Sequence, residues 1–277
     1  MTSVDILTED LVLEGLTEEL RAEAAKATPR EVRHLVDSYY QMQLHRQRSA
    51  SQERSVEKEG DSPVLNNHIN RQTKTLEAQM KRLLQGYAEG SPLGQWALSI
   101  MGIGPVIAAG LMAHIDIDQA PTVGHIWRFA GLDPTQTWNK SEKRPWNAKL
   151  KVLCWKAGDS FVKVSNNPKD IYGKIYRERK ALEIKPNERG DFAATAKATL
   201  ESKKFKDDDG KTKKAYEAGK LPDGRIDARA RRYAVKIFLA HYHHVAYELA
   251  HGTPPPKPYV ITNLDHAHYI APPNWPL

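Results

Sequence analysis

The sequence predicts a mainly α-helical protein: a helical arm, built as an antiparallel hairpin or coiled coil, followed by a larger helical domain. Three observations lead there. Apolar residues recur three and four apart over long stretches, the spacing that gives a helix one buried face. The punctuating residues Gly60, Pro63, Gly90, Pro92, Gly131, Pro134 and Gly252 fall between those stretches. Only Tyr259-Val260-Ile261, after a polyproline run, reads as a strand, and it would be a lone edge strand.

Composition narrows the class. A chain of 277 residues with 40% hydrophobic content can bury a core. The formal charge of +7 favours an acidic partner, nucleic acid before a membrane surface. Cys154 stands alone, which excludes an intramolecular disulfide and a cysteine-based zinc finger. No signal peptide and no long apolar run are present, so a cytoplasmic protein without a membrane partner is expected.

Residues 1–90 form the arm. Asp5, Glu9, Asp10, Glu14, Glu18 and Glu19 make an acidic, solvated start, and Thr17 is placed to cap a short helix. Val32, Leu35, Val36, Tyr39, Tyr40 and Leu44 predict a helix over 29–53. After the break at Gly60 to Pro63, Ile69, Leu76, Met80, Leu83 and Leu84 predict a second over 65–87. A pair that folds back on its own core and a pair that carries homo-oligomerisation look alike in sequence, and the second is the expectation.

Residues 91–252 form the main domain, centred on the stretch Trp96 to Ile115. A short helix ends at Gly102-Ile103-Gly104, and Pro105 opens a second helix running through Val106, Ile107, Leu111 and Met112. A helix start emerging from a glycine turn offers free N–H groups and a favourable dipole to an anion. This is the pattern of a helix-hairpin-helix that grips a phosphate backbone, with Gly102, Ile103 and Gly104 as the grip. A tight turn inside a helical core would use the same residues.

A helix from Thr122 to Phe129 follows, ending at Ala130-Gly131-Leu132-Asp133-Pro134, and then a polar, basic loop over 135–146. A helix over 147–164 points Leu150, Leu153, Cys154, Ala157, Phe161 and Val164 inward and Lys149, Lys151, Lys156 and Lys163 outward. The helix over 169–184 interleaves Tyr172 and Tyr176 with Lys174, Arg177, Arg179 and Lys180, which suits phosphate and base-stacking contacts. Residues 185–224 read as a charged, flexible insertion, and Asp207 to Asp209 lack the ligand spacing of a calcium loop. The helix over 226–251 carries a basic stripe of Arg225, Arg229 and Arg232 and an apolar face of Tyr233, Ile237, Ala240, His244 and Tyr247. His241, His243 and His244 read as packed rings, because no carboxylate sits at metal-helix spacing. The tail, 253–277, is expected on the surface of the helical body, and its His266 and His268 make a weak metal pair.

The order of these motifs resembles the carboxy-terminal half of the insertion-sequence one-ten/one-sixteen group of transposases, across roughly residues 30–252. The likeness rests on Ser99 to Leu111, on Ala130 to Pro134, on the basic loop, and on the helices at 147–164 and 226–251. It implies a transposase or recombinase component with DNA as partner, and it allows a guide or bridging RNA. The nuclease half of that group, with its DEDD carboxylates, has no counterpart in this sequence, and no metal or other cofactor is expected. The resemblance also implies a DNA-attacking serine in the basic loop. Ser141 is the one serine there, followed by Glu142 where the group usually has glycine. Lys140, Lys143 and Arg144 would stabilise phosphoryl charge around it. The DNA-contacting set is completed by Arg225, Arg229 and Arg232. A non-catalytic DNA-binding protein derived from such an element, or a protein-binding scaffold, would use the same helices.

Overall fold

The computed structural model describes residues 13–139, 141–206, 210–256 and 270–276. Among them are eleven α-helices and no strand, as the apolar spacing predicts. Local caps set the first two. The Thr17 hydroxyl accepts from Leu20 N (3.3 Å) at the start of α1, Glu18–Ala24. Thr28 accepts from Glu31 N (3.2 Å) at the start of α2, Pro29–Lys58, where Pro29 occupies the first turn.

Helix α2 and α3 (Val64–Glu89) form the arm as an antiparallel hairpin. Arg46 pairs with Glu77 (2.5 Å), and Glu53 accepts from Asn70 (2.7 Å). These contacts step seven residues forward along one helix and seven back along the other, so one register holds across two turns. The half of the arm near the body is docked. Val32, Val36, Tyr39 and Leu84 share a core with Val106, Ala109, Ala113 and Leu153. The outer half is not. It buries polar Ser49, Asn70 and Thr73 between its helices and leaves Leu44, Val64, Leu65 and Ile69 exposed.

The body packs α4 (Pro92–Ser99), α5 (Pro105–His114), α6 (Val123–Phe129), α7 (Ala148–Val164), α8 (Tyr172–Arg189) and a long α11 (Asp223–His251) around one core. Its centre is aromatic. Trp96 stacks on Phe238 with centroids 6.1 Å apart, and Phe161 and Tyr172 pack beside them. Helix α5 is covered on nearly all sides, between α2 and α3 on one flank and α4 and α7 on the other.

Two expectations are corrected. Residues 185–224 are not a loose insertion. Helix α8 continues to Arg189, and α9 (Ala193–Ser202) and α10 (Gly210–Glu217) close over a small core of Ala196, Tyr216, Leu221 and Ile226. Phe192, Ala196 and Leu200 recur four apart, a helical stripe hidden in the sequence by the surrounding lysines. The Asn187 amide locks this unit to Leu221 through both its oxygen (2.7 Å) and its nitrogen (2.9 Å). Asp207 to Asp209 lie outside the described residues. The second correction concerns α11. It buries Ala234, Phe238, Tyr242 and Val245, while Tyr233, Ile237, Ala240, His244 and Tyr247 stay at least partly exposed. The buried face is one residue, about 100°, round from the expected one.

The described end of the tail, residues 270–276, is tied to the body by specific bonds. The Trp96 indole donates to the Pro273 carbonyl (2.8 Å), Asn274 donates to Ser99 Oγ (3.1 Å), and the Trp275 indole donates to Glu248 (2.9 Å). Tyr259 to Ile261, His266 and His268 lie outside the described residues. No helix among the described residues is long and apolar enough to cross a membrane.

Candidate nucleic-acid interface

The three turn residues have three different tasks. Gly102 has φ +92, the left-handed region that favours glycine. Its carbonyl accepts from Ser160 Oγ (2.6 Å), and a Cβ there would press on Val164 and Phe161 at 3.2 and 3.3 Å. Ile103 is buried in the core. Gly104, at φ −95, faces open space and precedes the first residue of α5. Among the described residues neither Gly104 nor Val106 finds an acceptor for its N–H, and Pro105 has none to offer. The turn therefore leaves two N–H groups without an acceptor among the described residues at the start of α5, beside Gly104 rather than Gly102.

The loop over 135–146 is closed by its own side chains. Asp133 accepts from the Thr135 N–H (2.9 Å) and hydroxyl (2.7 Å), which holds its carboxyl below the usual range. The Trp138 indole donates to Glu142 O (2.8 Å), and the Glu142 carboxylate accepts from the Asn139 amide (3.1 Å). Trp138 and Trp146 meet edge to face, and Trp146 rests on Gly131, where φ is +65 and a Cβ would come within 2.7 Å of the ring. Ser141 is exposed on the turn that Asn139 and Glu142 close. Lys140 lies outside the described residues. Lys143 and Arg144 are exposed, and the Arg144 guanidinium lies over the Trp138 ring at 4.9 Å.

Around the loop the cations crowd. Lys151, on α7, sits 4.1 Å from the Trp146 ring centre. Burial pulls its ammonium below the usual lysine range, and the charges of Arg232 and Arg144 pull it further. Lys236, over the Trp127 ring at 4.0 Å, is lowered mainly by burial; Asp133 opposes that shift and Arg232 adds to it. Among the described residues none of Arg144, Lys151 and Arg232 forms a salt bridge. Arg144 and Arg232 belong to the expected set. Lys151 and Lys236 lie outside the expected DNA-contacting set, although Arg232 and Lys236 lie four apart on one helix face.

Other expected contacts are engaged within the fold. The stripe on α11 divides. Arg225 donates to Thr199 (2.8 Å) and Tyr216 (3.1 Å), and Arg229 donates to Glu183 (2.8 Å), which also accepts from Arg179. Glu183 is 4% exposed, and these arginines hold its carboxyl below the usual range against the upward pull of burial. Arg232 alone of the three remains at the surface unpaired. On α8, Tyr172 and Tyr176 are buried rather than offered for stacking, because the helix turns them toward α7 and α11. Tyr176 donates to Asp227, which also takes Lys180 and Arg231. The histidines are held by the fold: His241 accepts from the Tyr172 hydroxyl at Nδ1 (2.7 Å) and donates from Nε2 to Ile270 O (2.9 Å), and His243 donates to Ala120 O (2.7 Å).

The hairpin turn and the basic loop do not converge. Gly102 meets Ser160 and Val164 near the end of α7, whereas the loop enters α7 at Asn147, its cap. Ser160 and Val164 lie 13 and 17 residues past Asn147, so the turn and the loop lie about 20–25 Å apart along the helix.

Residues 95–146 match the transposase IS116/IS110/IS902 family. The chain is thus similar to that transposase family over this segment. The segment begins inside α4 and ends at Trp146, so it holds the turn, α6 and the whole basic loop. It supports a role related to transposition. No curated protein and no solved structure matches the chain.

Proposed function

We propose that this chain binds the phosphate backbone of DNA as a component of a transposition reaction. The observation that carries the reading is the gathering of unpaired Arg144 and Lys151 on the touching rings of Trp138 and Trp146, with unpaired Arg232 close enough to lower the Lys151 ammonium, against a segment similar to the transposase family. Like charges held together raise the free energy of the unbound protein, and a polyanion relieves them. The start of α5, as a helix-hairpin-helix, supplies a second, charge-free contact through the Gly104 and Val106 N–H groups. The exposed apolar residues of the outer arm support self-association. RNA competes for the same cations, and belongs in the assay as a competitor.

Binding to a labelled duplex across a salt series tests this. The wild type binds with a steep dependence on salt. Replacing Lys151 and Arg232 by Gln lowers the slope by about one for each phosphate contact removed. Absence of binding, or slopes that do not change, would overturn the reading.

Ser141 is assigned the nucleophile. Its hydroxyl would attack a backbone phosphorus, forming a serine–phosphate ester as a 3′-oxygen leaves with the proton, with Lys143 and Arg144 stabilising the phosphoryl oxygens. Among the described residues no side chain hydrogen-bonds to Ser141, which favours a second reading as a non-catalytic DNA-binding protein. A denaturation-resistant protein–DNA adduct lost in Ser141→Ala supports the first. An adduct that persists in Ser141→Ala removes the assignment.

A further inference from the structure

The outer face of α7 carries a side chain that neither the core nor the cation cluster explains. Trp155 is 59% exposed, and Val152, three residues earlier, is 50% exposed. Lys151 lies four residues before Trp155 and therefore on the same side of the helix. An indole in water forgoes most of the stabilisation its burial would bring. An exposed apolar face by itself suits many partners. Here its neighbours narrow the choice. Lys151 is electrostatically coupled to Arg232 and Arg144, and α11, which bears Arg232, packs along α7, where Gly158 meets Arg231 and Val235. The acid nearest in sequence, Asp159, is taken by Lys163 (2.7 Å) and Arg231. A ligand for this surface must bring negative charge for three cations and a flat apolar face for one indole, side by side.

A nucleic-acid strand with an unstacked base has that combination, because every base has a π-face next to a phosphate. We infer that Trp155 is a stacking platform for an unpaired base of DNA, whose flanking phosphates lie on Lys151, Arg232 and Arg144. The inference rests on the DNA-binding reading above and adds to it a preference for distorted or single-stranded DNA. A closed duplex keeps its bases stacked and meets only the cations. A strand with an extruded base meets the cations and the ring.

The test compares a perfect duplex, the same duplex with a one-base bulge, and the single strand, using the full chain and three variants. Trp155→Leu keeps an apolar side chain of helical propensity but loses the π-face. It should lower affinity for the bulged duplex and the single strand about tenfold, while the perfect duplex and all salt slopes stay within twofold of wild type. Trp155→Phe should recover most of the loss. Lys151→Gln should weaken all three ligands and reduce the salt slope. Helical circular dichroism checks that each variant is folded. If Trp155→Leu binds the bulged duplex as well as wild type, or loses all three ligands equally, the stacking site is wrong while DNA binding stands. If the wild type binds none of the three, the DNA-binding reading fails and this inference fails with it.

Discussion

Gly102 and Gly104 sit two positions apart and answer to different constraints. Gly102 is required by its backbone and by Val164 and Phe161 against it. Gly102→Ala should lower stability by about 1–3 kcal/mol, read as a fall in melting temperature. Gly104 has an ordinary φ and open surroundings, and it caps α5. Gly104→Asp supplies a better cap, worth a few tenths of a kcal/mol, and sets a carboxylate where the proposed phosphate would sit. The expected outcome is therefore a melting temperature equal to or above wild type together with DNA affinity lowered tenfold or more. A Gly104→Asp protein that binds as wild type does would show that the turn is core structure and no more.

At the level of elements, α11 separates two kinds of arginine. Arg229 holds a carboxylate that is almost wholly buried, so Arg229→Ala leaves Glu183 with Arg179 alone and should cost about 3 kcal/mol. Arg232→Ala leaves no buried charge behind and should change stability by less than about 0.5 kcal/mol, while its effect appears in the salt dependence of DNA binding. Urea unfolding of the two variants distinguishes them. The sequence could place both residues on one stripe, three apart on the helix, because periodicity alone fixes which residues share a face. It could not show that Glu183, on another helix, arrives beneath one and not the other. The same limit explains the face of α11. Tyr233, Ile237 and Tyr247 are as apolar in composition as Phe238 and Tyr242, and the choice between them is made by Trp96 and Phe161, distant in sequence. The span and inner face of helix α7 were legible because lysines mark much of its outside, while the exposure of Val152 and Trp155 was not. The glycine turn and the basic loop were legible as motifs. Their placement at opposite ends of α7 was not, since that separation comes from packing.

Taken whole, the molecule keeps buried imidazoles neutral, His241, His114 and His243 among them. Burial lowers His241 to about 4, with the Ile270 carbonyl opposing the shift, and burial together with the Arg33 charge lowers His114 to about 4. Both regain ordinary values near 6.5 on unfolding. The unfolded chain therefore binds more protons below pH 6.5. Stability is fully present above that pH and is lost as pH falls toward 4, by roughly 3 kcal/mol for His241. Melting temperatures should fall across this window, and less steeply in His241→Gln. The body that these rings help to hold is also a ruler. Helix α7 fixes the interval between the two ends of the proposed grip: Lys151 lies nine to thirteen residues before Ser160 and Val164, about 14–20 Å, which corresponds to roughly four to six base pairs of duplex. A straight duplex touching both ends must be met on two stretches of backbone with an untouched interval between them. The footprint of this protein would then have a spacing set by the number of residues in one helix, so that inserting a turn into α7 would lengthen the interval without altering either contact.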